Sequence, residues 1–75
     1  AVDGDPALLR FLEMFLGGDG YEVRPAYTGD EGVRTAREWG PDVVLLDQWL
    51  TDPDAADVVR SLRSDERTQG IPVIL

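Results

Sequence analysis

Pro41-Asp42-Val43-Val44-Leu45-Leu46-Asp47 is the stretch that decides how this chain folds. Four apolar residues run without alternation into an aspartate. Strands buried on both faces of a parallel sheet read this way, because helices cover each side. Upstream, Thr28-Gly29-Asp30-Glu31 matches a capping box and opens a helix that turns Val33 and Ala36 inward. Gly32 weakens that helix by up to about 1 kcal/mol relative to alanine, and Gly40-Pro41 ends it. Before it, Tyr21 to Tyr27 reads as a strand, and Pro25 makes it an edge strand, since proline cannot donate to a ladder.

Further out, Ala1-Val2-Asp3 reads as the end of a strand, and Asp5-Pro6 starts a helix with Asp5 as N-cap. Leu8, Leu9, Leu12, Phe15 and Leu16 share one face of it at helical spacing and are expected in the core. Gly17-Gly18-Asp19-Gly20 stops it. Downstream of Asp47 come a loop from Gln48 to Asp54 and a helix to about Arg63, with Val58, Val59 and Leu62 on its inner face. Ser64 to Gly70 is polar and turn-forming, and Ile71-Pro72-Val73-Ile74-Leu75 is a fourth strand. The order strand, helix, strand, helix, strand, helix, strand predicts an α/β fold with a parallel sheet and right-handed crossovers.

The 75 residues suffice for one small domain. There is no cysteine, so no disulfide supports it, and the setting expected from that absence and from the lack of a signal peptide or membrane-spanning run is cytoplasmic. Asp and Glu outnumber Lys and Arg by 15 to 7, a net charge of −8. Phosphate backbones need clustered cations, so direct nucleic-acid contact by this segment is not expected, nor is membrane contact. With no lysine and no histidine, any chemistry here uses carboxylates, hydroxyls, arginines and backbone.

In open parallel sheets, sites lie beyond the carboxyl ends of the strands. Asp3 and Asp47 both stand at such ends and should face one another across a crevice. Paired carboxylates there suit magnesium, which is hard, prefers oxygen and takes one or two protein carboxylates plus waters. A carboxylate can also act as a nucleophile toward phosphorus, giving an acyl phosphate.

At this point the chain resembles the receiver domains of response regulators. Val2-Asp3-Gly4-Asp5-Pro6-Ala7-Leu8-Leu9 looks like their acidic first loop, Gly20-Tyr21-Glu22-Val23 like their second strand, and Pro41 to Asp47 like the strand that carries the phosphorylated aspartate. Asp52 to Arg63 resembles the loop and helix that follow, and Ile71-Pro72-Val73-Ile74 the fourth strand. The resemblance implies a flavodoxin-like doubly wound sheet of strand order 2-1-3-4-5, with residues 1–75 forming a partial domain, incomplete at the C-terminus. It implies Asp47 as phosphoacceptor, and Asp3, Asp47 and the Trp49 carbonyl as magnesium ligands. It also implies a histidine kinase or phosphotransfer protein as donor, an output domain or partner protein as target, and a homodimer as one assembly. No enzymatic turnover is expected.

Three departures qualify the resemblance. Gly4 stands where the second acid of the pair belongs, so magnesium binding is expected to be weak. Thr51 and Ala55 replace a common proline and glycine. The family's switch Ser or Thr and its lysine belong after the fourth and fifth strands, beyond Leu75. Gly4 keeps a second reading open, a degenerate pseudo-receiver that serves as a phosphorylation-independent interaction module. Asp3-Gly4-Asp5 also fits the D-x-D signature of haloacid-dehalogenase-like phosphatases, but those place a flap where Asp5-Pro6 starts a helix.

The isolated segment 1–75 is expected not to form a stable monomer, because Ile71 to Leu75 would be an apolar edge that recruits other chains. Sedimentation and thermal melting check this. Dimers, aggregates or a non-cooperative melt are the expected outcome, and a monomer with a cooperative, concentration-independent melt is the opposite one.

Overall fold

The computed structural model describes residues 1–75, in the order α1 (Pro6–Gly18), α2 (Gly29–Trp39), β1 (Val44–Leu45), α3 (Ala55–Arg63) and β2 (Val73–Ile74). The pairing around β1 builds a parallel sheet wider than these two strands. Val44 pairs with Val73 and Leu45 with Ile74. On the other side Val2 bridges both Leu46 and Ala26 in parallel. From one edge to the other the segments run Ala26, Val2, β1, β2, the order 2-1-3-4 of a receiver sheet. No helix is long and apolar enough to cross a membrane.

The first two helices start at the caps expected for them, and α3 starts on a third, Asp54. The Asp5 carboxylate accepts from the Ala7 N–H, the Thr28 hydroxyl from the Glu31 N–H, and the Asp54 carboxylate from the Asp57 N–H. These bonds satisfy donors that the first helical turn leaves without partners. At the other end of α2, Gly40 adopts a left-handed φ of 68° and donates its N–H to the Ala36 carbonyl, a conformation that glycine reaches without steric cost.

The core lies on one face of the sheet. Val2, Ala26, Val44 and Leu46 meet Val33 and Ala36 of α2 and Val58 and Leu62 of α3, with Val59 half-buried at the margin. Gly32 has a role here that propensity alone does not reveal. A Cβ at this position would come within 2.6 Å of a Val2 methyl, so the glycine lets α2 settle on the central strand.

The opposite face departs from expectation. Only Leu9 of α1 is buried, while Phe11 and Phe15 stack on one another at 59% and 60% exposure. The β1 run is therefore not buried on both faces. Val44 and Leu46 are covered, whereas Val43 is exposed and Leu45 is half-buried. Leu8 and Leu12 of α1 look onto Leu45, Ile74 and Leu75 across an open groove rather than closing against them.

The second strand is also shorter than Tyr21 to Tyr27. Ladder bonds join Ala26 N–H to Ala1 O and Asp3 N–H to Ala26 O, and the bridge itself is confined to Ala26. Arg24 instead stacks its guanidinium 4.5 Å from the Trp39 ring centroid, tying this edge to the end of α2. The fourth strand contracts to Val73–Ile74.

The polar stretch after α3 is ordered by side chains. Thr68 is fully buried and donates its hydroxyl to the Leu62 carbonyl at 2.7 Å. Arg63 donates to the Gln69 and Ile71 carbonyls at 3.0 and 2.9 Å. Asp65 accepts from Arg67 and lies 2.9 Å from Arg37 Nε of α2, an ion pair without the alignment of a hydrogen bond. Hydrogen bonds from Arg67 are the main cause that holds the Asp65 carboxyl down to about 2.

Two measurements check these assignments. In the parent protein, Leu62→Ala should lower unfolding stability by about 2–5 kcal/mol, the range for a leucine removed from a closed core, as read from the denaturant midpoint. Because the Asp65 pKa is depressed in the fold, the stability that it contributes is present above the ordinary carboxylate value. It is lost as pH falls toward about 2. Asp65→Asn should accordingly flatten that part of the acid-unfolding profile, and an unchanged profile would contradict the role given to this ion pair.

Candidate functional site

The carboxyl ends of the central strands carry the two predicted acids. Asp47 follows Leu46 directly, and its N–H donates to the Val2 carbonyl at 2.9 Å. Its Oδ1 accepts from the Trp49 N–H at 2.9 Å, a local turn that fixes the carboxylate plane and starts the loop. Asp3 follows Val2 on the neighbouring segment, with its N–H on the Ala26 carbonyl at 3.0 Å and its Oδ1 accepting from the Asp5 N–H at 2.9 Å. Asp5 itself is committed to capping α1 through the Ala7 N–H at 3.0 Å.

Asp3 and Asp47 line one open cleft of about 570 Å³ together with Gly4, Asp5, Tyr27, Thr28, Trp49 and Thr51. Three carboxylates and no cationic side chain line it, a lining whose sign suits a cation. Asp3 and Asp47 are half-buried. The Trp49 indole is 79% exposed, so its place in the site rests on the backbone.

The donor set fits magnesium. Asp3 Oδ2, Asp47 Oδ2 and the Trp49 carbonyl accept no hydrogen bond from the protein, and all three are hard oxygen donors. Magnesium takes few protein carboxylates and keeps several waters, so a sparse set suits it. The set is sparse indeed: no group of three or more Asp, Glu, His or Cys side chains is arranged to hold a metal. Gly4 supplies no carboxylate where a second acid would stand, and Asp5, one residue on, has its Oδ1 on the Ala7 N–H as the cap of α1.

Thr28 is the residue whose place in the site sequence reading missed. Its hydroxyl caps α2, which accounts for it structurally, yet it also borders the acid cleft. The signal was present, because Thr28 follows the end of the second strand, on the same edge of the sheet as Asp3 and Asp47.

The chain matches the family described as response regulator receiver domain over residues 1–75. It is 36% identical over 74 residues to the DNA-binding response regulator MtrA of Mycolicibacterium smegmatis, covering 99% of this chain and 31% of that protein. It is 38% identical over 74 residues to the DNA-binding dual master transcriptional regulator RpaA of Synechocystis, again covering 99% of this chain and 31% of the relative. Among solved structures it superposes on the N-terminal domain of a response regulator receiver protein from Methanoculleus marisnigri with a TM-score of 0.90. The identity there is 29%, with 96% of this chain and 58% of that one covered. The chain thus spans about a third of the length of these two relatives.

The missing acid can be supplied. A Cβ at Gly4 would meet nothing closer than the Tyr27 carbonyl at 3.9 Å, an ordinary contact. Gly4→Asp should therefore be accommodated, should tighten magnesium binding, and should lower thermal stability when metal is absent by adding like charge to the cleft. Titration calorimetry of both forms checks this. Equal affinities would mean that another group already fills the place of the acid.

Proposed function

We propose, on the premise that this chain belongs to the response regulator receiver domain family, that it accepts a phosphoryl group on Asp47 from a phosphohistidine donor. The observation that carries the proposal is the pairing of Asp47 with Asp3 in one cleft at the carboxyl edge of a parallel sheet. Two-component signalling is what the family does. The identity of the accepting residue and of the donor is our reading.

In this reading, Asp47 Oδ2 attacks phosphorus while Oδ1 stays on the Trp49 N–H. A P–O bond to Asp47 forms as the P–N bond to the donor imidazole breaks, and the electron pair returns to the ring nitrogen. Phosphoryl transfer asks mainly for positioning and charge neutralisation, and little covalent work from the protein. Asp3, Asp47 and the Trp49 carbonyl would hold a magnesium ion, which when bound supplies the positive charge that offsets phosphoryl and carboxylate oxygens. Asp3 contributes a ligand oxygen and is itself oriented by the Asp5 N–H. The open cleft admits the imidazole of a partner protein.

The two relatives are named as DNA-binding, a property of proteins about three times the length of this chain. The segment described here carries a net charge of −8 and no cationic cluster, which suits regulation by a kinase better than contact with DNA. We therefore place control of an output function outside these residues and the phosphorylation event within them.

Incubating the parent protein with a small acyl-phosphate donor and magnesium should add one phosphoryl mass to Asp47, and the adduct should vanish in Asp47→Asn. An adduct that persists in that variant, or that maps to another residue, would contradict the assignment. A parent that takes no phosphoryl group at all would favour the interaction-module reading that Gly4 keeps open.

A further inference from the structure

From the packing at the start of α2 we infer that Gly29 is a positioning residue for the phosphoacceptor loop, an inference that rests on the assignment of Asp47 above. Gly29 is the first residue of α2 and is buried. A Cβ there would lie 2.5 Å from Val58 Cγ2 on α3, 2.8 Å from Pro53 Cγ and 3.5 Å from the Pro53 carbonyl oxygen. The absent side chain is therefore the seat on which Pro53 rests.

Pro53 belongs to the loop that begins at Asp47. The near end of that loop is pinned by the Trp49 N–H on Asp47 Oδ1, and the far end by Asp54, which caps α3 through the Asp57 N–H at 2.8 Å. Between these pins Asp52 holds a φ of 52°, a left-handed conformation that costs a non-glycine residue free energy and persists only where the surroundings over-determine it. The seat on Gly29 is a constraint of that kind, and it joins the loop to α2. Thr28, one residue earlier, borders the same cleft as Asp47 and Trp49. The start of α2, the loop after the third strand and the body of α3 thus meet at one glycine.

A methyl group at position 29 must displace something. Val58 is 1% exposed and locked between α2 and the sheet. Moving α2 away would lift Gly32 from Val2 and open the core. Pro53 is half-buried in a loop and yields most easily. Its displacement runs back along Asp52, Thr51 and Leu50 to the Trp49 backbone, which supplies both the N–H that orients Asp47 and the carbonyl assigned to the metal.

The test uses the parent protein, with every rate measured well below the melting temperature of each variant so that the folded fraction does not limit it. Gly29→Ala should slow phosphorylation of Asp47 by a small acyl-phosphate donor by about tenfold or more, within the roughly 10²-fold that a 1 Å misplacement can cost. The Trp49 amide should exchange its hydrogen faster. Adding Val58→Ala vacates the nearest clashing methyl and lets the added methyl group settle toward α3. The double variant should recover both the rate and the Trp49 protection, even though Val58→Ala alone lowers the melting temperature. Should Gly29→Ala not fold, the double variant is compared with Val58→Ala, which it should match in rate. A melting temperature that falls in Gly29→Ala while the rate and the Trp49 exchange stay at parent values would make Gly29 a packing residue only. A double variant that recovers neither would also overturn the inference. A parent that is never phosphorylated would defeat the phosphoacceptor assignment instead, and the Trp49 exchange would then decide the role of Gly29 by itself.

Discussion

The hydrogen bond from the Asp47 N–H to the Val2 carbonyl, 2.9 Å long, is the constraint from which the rest of the site follows. With its partner from the Val2 N–H to the Leu45 carbonyl at 2.7 Å, it sets the parallel register of the two central segments. Side chains alternate across a strand, so a slip of one residue would exchange the faces. Val2 would leave the core beneath Gly32, and Asp3 would leave the cleft. The same pairing that buries Val2 therefore brings Asp3 level with Asp47.

Stability and chemistry draw on different parts of this sheet. One face is closed by α2 and α3, where Val33, Ala36, Val58 and Leu62 exclude water over Val2, Val44 and Leu46. Apolar burial of this kind is the main favourable term in folding. The carboxyl edge works against it. Three carboxylates line a cleft with no cationic side chain in its wall, and Asp52 keeps a left-handed backbone in the adjoining loop. The left-handed Asp52 costs free energy in a non-glycine residue, and both features sit at the edge where the proposed chemistry would use them. The packed face can hold the edge in place because its glycines allow backbone to approach side chain so closely.

Much of this was legible beforehand, and for local reasons. Asp5 and Thr28 mark helix starts because capping is a short-range interaction between one side chain and the next turn. The unbroken run from Val43 to Leu46 marks a central strand because a parallel sheet leaves no room for alternation. The position of Asp3 and Asp47 at strand ends follows from the same topology. What escaped was tertiary. The spacing of Leu8, Leu9, Leu12, Phe15 and Leu16 shows an apolar face on α1, but periodicity cannot say what covers it, and in this structure only Leu9 is enclosed. Gly32 looked like a weak point in a helix until Val2 was found beneath it. Thr68 looked like part of a polar turn, yet it is fully buried because the Leu62 carbonyl gives its hydroxyl a partner.

The proposed chemistry requires Asp3, Asp47 and the Trp49 carbonyl to act together on a hard cation at the sheet edge. Manganese shares the preference of magnesium for carboxylate, carbonyl and water ligands, and its unpaired electrons broaden nearby amide resonances. Titrating manganese into the isotopically labelled parent protein should broaden Asp3, Gly4, Asp47 and Trp49 first and most strongly, with magnesium reversing the effect. Broadening centred on Asp52, Asp54 and Asp57 instead would place the cation on the acidic loop and contradict the site described here.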